Sequence, residues 1–462
     1  MVILHNIAIF ASKQLYMDII FKRKIYDKLL EWKRTSDGHT ALLIKGARRV
    51  GKSTIAKEFA KNEYRSFIAI DFADAPQAVW EAVNNISDRD NFFMQIQFIY
   101  GVQLFERESV IIFDEIQKCP LARQAIKYLV QDHRFDYIET GSLLSIRKNT
   151  KDIVIPSEET RITMLPMDYE EFRWALGDDV TIPLLRQNFQ NRRPLGDAVV
   201  RKLLRDFRLY MLVGGMPQAI NKYIATNNLS AVDKIKREII ELYLDDFEKI
   251  DPTGRASLLF KAIPSQLTGN ASRYRTTPVV GRNVDRDTIL SLIRQMEDSM
   301  TVIIAHQADD PNVGLAMHID TDVYKMYICD TGLFITLAFW DKDVTENIIY
   351  QKLLFDKLSV DLGYVYENVV SQMLTAIGDK LFYYTWPMKN SNRNYEIDFI
   401  LSRDNKICPV EVKSSSYNTH ASLDEFMKKF PTRISQSYLI YTKDLRKDES
   451  VLLVPVFMTM FL

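Results

Sequence analysis

The chain has 462 residues, 47% hydrophobic and 26% charged, which suits a soluble protein with more than one core. Lys+Arg and Asp+Glu both number 60. The resulting zero net charge excludes a surface that is everywhere attractive to nucleic acid, but not a local basic groove. Three scattered cysteines, Cys119, Cys329 and Cys408, fit no zinc spacing and suit a reducing compartment.

The first twenty residues are apolar but carry no basic stretch before a hydrophobic run too short for a membrane span. The expectation is a cytoplasmic protein with no cleaved leader and no membrane contact. Met17 opens a second plausible start, so residues 1–16 are either a docked extension or an artefact of start-site choice. Residues 20–34 place Ile25, Leu29 and Leu30 at helical spacing among basic residues. Short apolar runs follow at "TALLIKG", "SFIAIDF", "SVIIFDEIQ" and "FDYIETGS", separated by helical patterns. Buried strands alternating with helices predict a parallel α/β sheet covered on both faces. From Met167 the character changes. Segments such as "AVVRKLLRDFRLYMLV" and "LSAVDKIKREIIELYLDDFEKI" predict helices without strands. A helix at "RDTILSLIRQMEDS" and strands at "TVIIAH" and "VYKMYICD" predict a small winged-helix-like unit. A helix-strand pattern then resumes from about residue 346.

Two motifs lie in the first α/β region. Gly46-Ala47-Arg48-Arg49-Val50-Gly51-Lys52-Ser53, with Thr54 next, matches G-x-x-x-x-G-K-[ST] between a strand and a helix. Glycines let backbone N–H groups curl around phosphate oxygens, and the helix N-terminus adds its positive dipole end. In that frame Lys52 reaches the β- and γ-phosphates and Ser53 ligates Mg²⁺. Val110–Glu115 is an apolar strand ending in two carboxylates. Asp114 is assigned to Mg²⁺ through water, and Glu115 to polarising the attacking water. The strand "YIETGS" ends in Thr140, Gly141 and Ser142, and Ser142 is the candidate γ-phosphate sensor, against the alternative of an ordinary turn serine.

"GARRVGKST", "IIFDEIQ", "TGSLLS", "RITMLPMDYEEF" and "LYMLVGGMPQAI" together resemble a family of prokaryotic AAA-type ATPases that carry a C-terminal domain of unknown function. The resemblance spans roughly residues 20–335. Ala47 stands in place of the family's proline, and Met167-Asp168-Tyr169 in place of its L-S-F triplet. It implies the fold and ATP binding. It also suggests a nucleotide contact from Arg161, in the same subunit or a neighbour, although a surface arginine reads as well. The Gly214-Gly215-Met216-Pro217 turn between helices is read as structural, with glycines for positive φ and proline to end a helix.

Near the C-terminus, "NYEIDFILSRDNKICPVEVKSS" reads as a hairpin. A turn at Asp404-Asn405 pairs residue i with 809−i. That sets Asp398 opposite Glu411 and Glu396 opposite Lys413, all on one face. Two like charges opposite each other need compensation, which Mg²⁺ or Mn²⁺ would supply. With Glu367 on the preceding helix, the set Glu367, Asp398, Glu411 and Lys413 resembles the restriction-endonuclease-like superfamily over about residues 355–445. The alternative is an edge hairpin with solvated ion pairs. Arg273, Arg275, Arg282 and Arg286 are candidate DNA-phosphate contacts or simply a solvated charged loop.

The expected architecture is therefore α/β: a P-loop NTPase parallel sheet with a helical lid, a winged-helix-like unit and a restriction-endonuclease-like domain. The boundaries are 1–40 for an N-terminal helical segment, 41–165 for the ATPase, 166–262 for the helical subdomain, 263–345 for the winged-helix-like unit and 346–462 for the last domain. Two functions compete. One is an Mg²⁺-dependent ATPase coupled to a nuclease-like domain acting on DNA. The other is an ATP-dependent switch or scaffold whose nuclease-like fold is inert and binds a partner. A homo-oligomer or a protein partner fits either.

Overall fold

The computed structural model describes residues 19–141, 157–268, 272–341, 345, 347–355, 363–389, 391–414 and 420–462. Ser142 and residues 1–18 lie outside the described residues.

The four apolar runs become β1 (Ala41–Lys45), β2 (Ser66–Asp71), β3 (Ser109–Asp114) and β4 (Asp136–Thr140). A fifth strand, β5 (Glu159–Thr163), joins them. The order is β2-β3-β4-β1-β5, and every pairing is parallel. Alternate residues serve opposite faces. Leu42, Ile44, Val110 and Ile112 face one core, while Ala41, Leu43, Ile111 and Phe113 face the other. Burial on both faces is why these strands read as unbroken apolar runs. β4 lies between β1 and β3. The C-terminal ends of the strands bearing the two phosphate-site motifs therefore flank the end of β4.

The predicted helices form at Asp197–Val213 and Leu229–Ile250, with a shorter one, Pro217–Thr226, between them. They pack into the same continuous core as one face of the first sheet.

The remaining strands are β6 (Val302–Ala308), β7 (Ile319–Ile328), β8 (Leu381–Pro387), β9 (Asn394–Arg403), β10 (Lys406–Val412), β11 (Ser437–Tyr441), β12 (Arg446–Asp448) and β13 (Val451–Pro455). They form one mixed sheet in the order β12-β13-β11-β10-β9-β8-β6-β7. This corrects the expectation of a separate winged-helix-like hairpin. β6 pairs in parallel with β8, so the β6–β7 hairpin is the end of the C-terminal sheet. An antiparallel hairpin looks the same in sequence whether its outer edge is free or paired, and only the long-range partner decides.

The β9–β10 register is as the hairpin argument requires. Arg403 pairs with Lys406, Leu401 with Cys408 and Phe399 with Val410, each pair summing to 809. Asp404 at the turn takes φ 53°, a left-handed conformation that Asp tolerates. Among the described residues no helix is long and apolar enough to cross a membrane.

Candidate functional site

The phosphate loop leaves β1 and enters the Lys52–Glu63 helix. Gly51 precedes that helix with φ 97°, which a side chain would strain. Lys52 is buried, 8% exposed, and its ammonium donates to the carbonyls of Gly46 (3.0 Å) and Ala47 (2.9 Å). Burial pulls its pKa down to about 8, against the opposing pull of Glu115 and Asp114. A desolvated cation held only by carbonyls is poised to exchange them for an anion.

Ser53 Oγ donates to Asp114 Oδ1 at 2.7 Å, and the Thr140 hydroxyl donates to the same oxygen. Lys57 Nζ is 3.8 Å from Asp114 Oδ2. The loop hydroxyl and the strand-end carboxylate thus meet as an all-oxygen pair suited to Mg²⁺. Glu115 follows in the left-handed region at φ 53°, a strained position for a non-glycine residue, and the Gln117 amide donates to its carboxylate. A cavity of about 540 Å³ opens here, lined by Arg48, Arg49, Gly51, Lys52, Ser53, Thr54, Asp114 and Glu115.

Some of this was missed in the sequence. Thr140, at the end of β4, is the described residue of that strand that touches Asp114. Arg23 lines the same cavity. Its guanidinium donates to Val50 O (2.9 Å) and Leu165 O (2.7 Å) and pairs with Glu171 (3.1 Å). The only signal for it was the basic character of residues 20–34. Arg48 is held by Asp246 (3.1 Å), and its carbonyl accepts from Tyr243 Oη (3.1 Å), so the helical layer grips the loop. Arg161 lies on β5, half exposed, 2.5 Å from Glu159, and does not line the cavity.

The second candidate cluster has the predicted elements but not the predicted contacts. Glu367 is on the Gly363–Ala376 helix, Asp398 on β9 and Glu411 on β10, with Lys413 just beyond. Lys413 pairs with Glu411 at 2.9 Å, and Asp398 Oδ2 accepts from Val412 N–H at 2.7 Å. The compensating cation is Lys325 of β7, 5% exposed. Its ammonium donates to Glu367 (2.8 Å) and to Glu396, and lies 4.0 Å from Asp398. Tyr327 Oη donates to Glu367 at 2.5 Å.

Among the described residues no group of three or more His, Cys, Asp or Glu is arranged to hold a metal. A metal set of Glu367, Asp398 and Glu411 is thus not shown: the Lys325 ammonium lies against Glu367 and Asp398, and Lys413 against Glu411. The β9–β10 ladder runs from Arg403–Lys406 to Phe399–Val410, so the Asp398–Glu411 and Glu396–Lys413 pairs lie beyond it, and on its other edge Glu396 pairs with Thr385 of β8. Burial, then the Glu367 charge, push the Asp398 pKa well up, and Lys325 opposes the rise. Arg286, a candidate DNA contact, is occupied by Asp322 at 3.0 Å.

Residues 38–173 match the family described as an AAA domain. Residues 204–344 and 362–457 match two domains of unknown function, DUF8612 and DUF4143. With the loop geometry and the parallel sheet, these findings define an AAA-type P-loop ATPase domain that binds ATP, followed by regions that match families of unknown function. No match to a curated protein was found.

Among solved structures, the chain is similar to the Walker-type ATPase PABY2304 of Pyrococcus abyssi. Identity is 16%, coverage 69% of this chain and 96% of that one, and the TM-score 0.42. It is also similar to Cdc6p from Pyrobaculum aerophilum, at 11% identity, coverage of 75% and 98%, and TM-score 0.23. A third is the signal-transduction ATPase PH0952 of Pyrococcus horikoshii, at 11% identity, coverage of 78% and 46%, and TM-score 0.22. At these TM-scores the likenesses establish nothing about function.

Proposed function

We propose that the protein is an Mg²⁺-dependent ATPase that works as a switch, its nucleotide state biasing the C-terminal sheet. Lys52 and the loop N–H groups bind the phosphates, and Ser53 and Asp114 would hold Mg²⁺. When bound, that ion offsets phosphate charge as the bond to the γ-phosphoryl group breaks. Glu115 orients the attacking water and takes its proton. Thr140 keeps the Asp114 carboxylate turned toward Ser53.

The observation that supports coupling is one hydrogen-bonded chain. Pro217 lines the nucleotide cavity. Two residues before it, Gly215 N–H donates to Asp330, and Gly215 O accepts from Met167 N at 2.8 Å. Met167 O accepts from Tyr210 Oη at 3.0 Å, and Tyr210 Oη accepts from Gln372 Nε2 at 3.0 Å. Gln372 also accepts from Thr331 N–H at 2.9 Å. Gln372 and Glu367 share the Gly363–Ala376 helix, so the chain ends at the Lys325 cluster.

Metal-dependent DNA cleavage by Glu367, Asp398, Glu411 and Lys413 is the weaker reading, because Lys325 already pairs with Glu367 and lies 4.0 Å from Asp398, and Lys413 pairs with Glu411. The test is ATP turnover by Gln372→Ala, which lies outside the cavity. Coupling energies of about 0.5–2 kcal/mol predict a change in kcat or KM of roughly 2-fold or more. Unchanged kcat and KM would sink the coupling.

A further inference from the structure

The Asp197–Val213 helix carries Arg201, Arg205 and Arg208 at i, i+4 and i+7, and hence on one flank. Their Cα atoms are spaced along the axis by about 6 and 4.5 Å. A groove of about 420 Å³ runs between this flank and the segment after β11, with Lys443 on the far wall. Its charged lining is four cations, Arg201, Arg205, Arg208 and Lys443, against two carboxylates, Asp197 and Asp444. Asp444 is already used, since it accepts from the N–H groups of Leu195 (2.9 Å) and Gly196 (2.7 Å). Among the described residues neither Arg201 nor Arg205 has a carboxylate partner, and both are exposed. Phe355, at the end of the Asn347–Leu354 helix, lines the same groove and is 53% exposed.

The groove also abuts the C-terminal cluster. Arg208 Nε donates to Tyr366 Oη at 3.2 Å, beside Glu367 in sequence, and Thr442 Oγ1 donates to Ser414 O at 3.4 Å, beside Lys413.

We propose that this groove binds single-stranded nucleic acid, with phosphates on Arg201, Arg205 and Lys443 and one base on Phe355. Cations that track a backbone beside an exposed ring are the elements of single-strand binding. A duplex keeps its base faces stacked and offers the ring nothing. An acidic peptide would use the cations without needing the ring. The proposal names the partner of the ATP-driven switch and rests on that reading only for what ATP does to the bound strand.

The test is fluorescence anisotropy on the full chain with labelled oligo-dT and oligo-rU of roughly twelve nucleotides, from about 25 to 300 mM KCl. The expected result is binding of at least one oligomer, weakening with salt. Arg201→Glu/Arg205→Glu should weaken it at least about 30-fold and flatten the log–log salt slope by about 1.4, two phosphates at about 0.7 each. Phe355→Ala should weaken it about 5- to 100-fold and leave the slope unchanged. ATP turnover of the double variant without nucleic acid should stay near wild type, which also reports that it folds. Lys52→Ala should still bind the oligomer, so a failed ATPase reading leaves this result standing. No binding of either oligomer at low salt, or unchanged binding by the double variant, would overturn the proposal. So would displacement by polyglutamate as effective as by unlabelled oligo-dT with Phe355→Ala unchanged.

Discussion

Replacing Lys325 with methionine removes a charge while keeping the length of the side chain. The ammonium contacts Glu367 and Glu396 and lies 4.0 Å from Asp398, so the variant leaves three carboxylates facing one another. Removing one partner of a buried ion pair costs about 3–5 kcal/mol. The Glu367 and Glu396 side chains are 16% and 28% exposed, so solvent screens part of this, and about 2–4 kcal/mol is expected.

Hydrogen exchange of peptides covering β7 and β9 reads that cost locally, without assuming two-state unfolding of the whole chain. At tenfold per 1.4 kcal/mol, exchange should accelerate about 30- to 700-fold near pH 8. The pH dependence has a definite sign. Burial opposes protonation of Lys325, but Glu367 and Glu396 raise its pKa well above 10.5, so its contribution is fully present throughout the neutral range. The Asp398 pKa is raised, so that carboxyl costs stability progressively as pH rises from about 4 through its folded value. Without Lys325 this cost grows, and the defect should be larger at pH 8 than at pH 5. Exchange within about 3-fold of wild type at pH 8 would refute the assignment of Lys325 as the cluster's counter-charge.

In the nucleotide site, Lys52→Ala should abolish ATP binding measured by calorimetry. Glu115→Gln should keep binding and lose turnover by about 10²–10⁴-fold, the scale of general-base catalysis. Wild-type kcat in that variant would mean that another group activates the water. Gly215→Ala would place a Cβ 2.1 Å from Met167 O, a backbone atom that cannot step aside. It should lower the thermal midpoint and weaken the response to nucleotide, and an unchanged midpoint would show that the turn relaxes freely.

What could be read in the sequence was local. The phosphate loop, the strand ending at Asp114-Glu115 and the 809 register each arise from residues close in the chain, where periodicity and turn chemistry act directly. β5 escaped because its Glu159-Thr160-Arg161 start is polar, and its place beside β1 comes from pairing across more than a hundred residues. Lys325 escaped for the same reason. In "VYKMYICD" it reads as a lysine in an otherwise apolar strand, and only the alignment of β7 with the Glu367 helix and β9 brings it among carboxylates. Gly214-Gly215 was read as structural, and the close approach of Gly215 to Met167 O gives that reading its physical reason. The arginine stripe on the Asp197–Val213 helix was visible at i, i+4, i+7, but its opposing wall lies more than two hundred residues on.

The claim that nucleotide at Lys52 reaches the C-terminal sheet is tested most directly by hydrogen exchange with and without a non-hydrolysable ATP analogue and Mg²⁺. Wild type should change protection in the Gly363–Ala376 helix and in β7 as well as around the phosphate loop, and Lys52→Ala should show none of these changes. Changes confined to residues 38–173 in wild type would contradict the account.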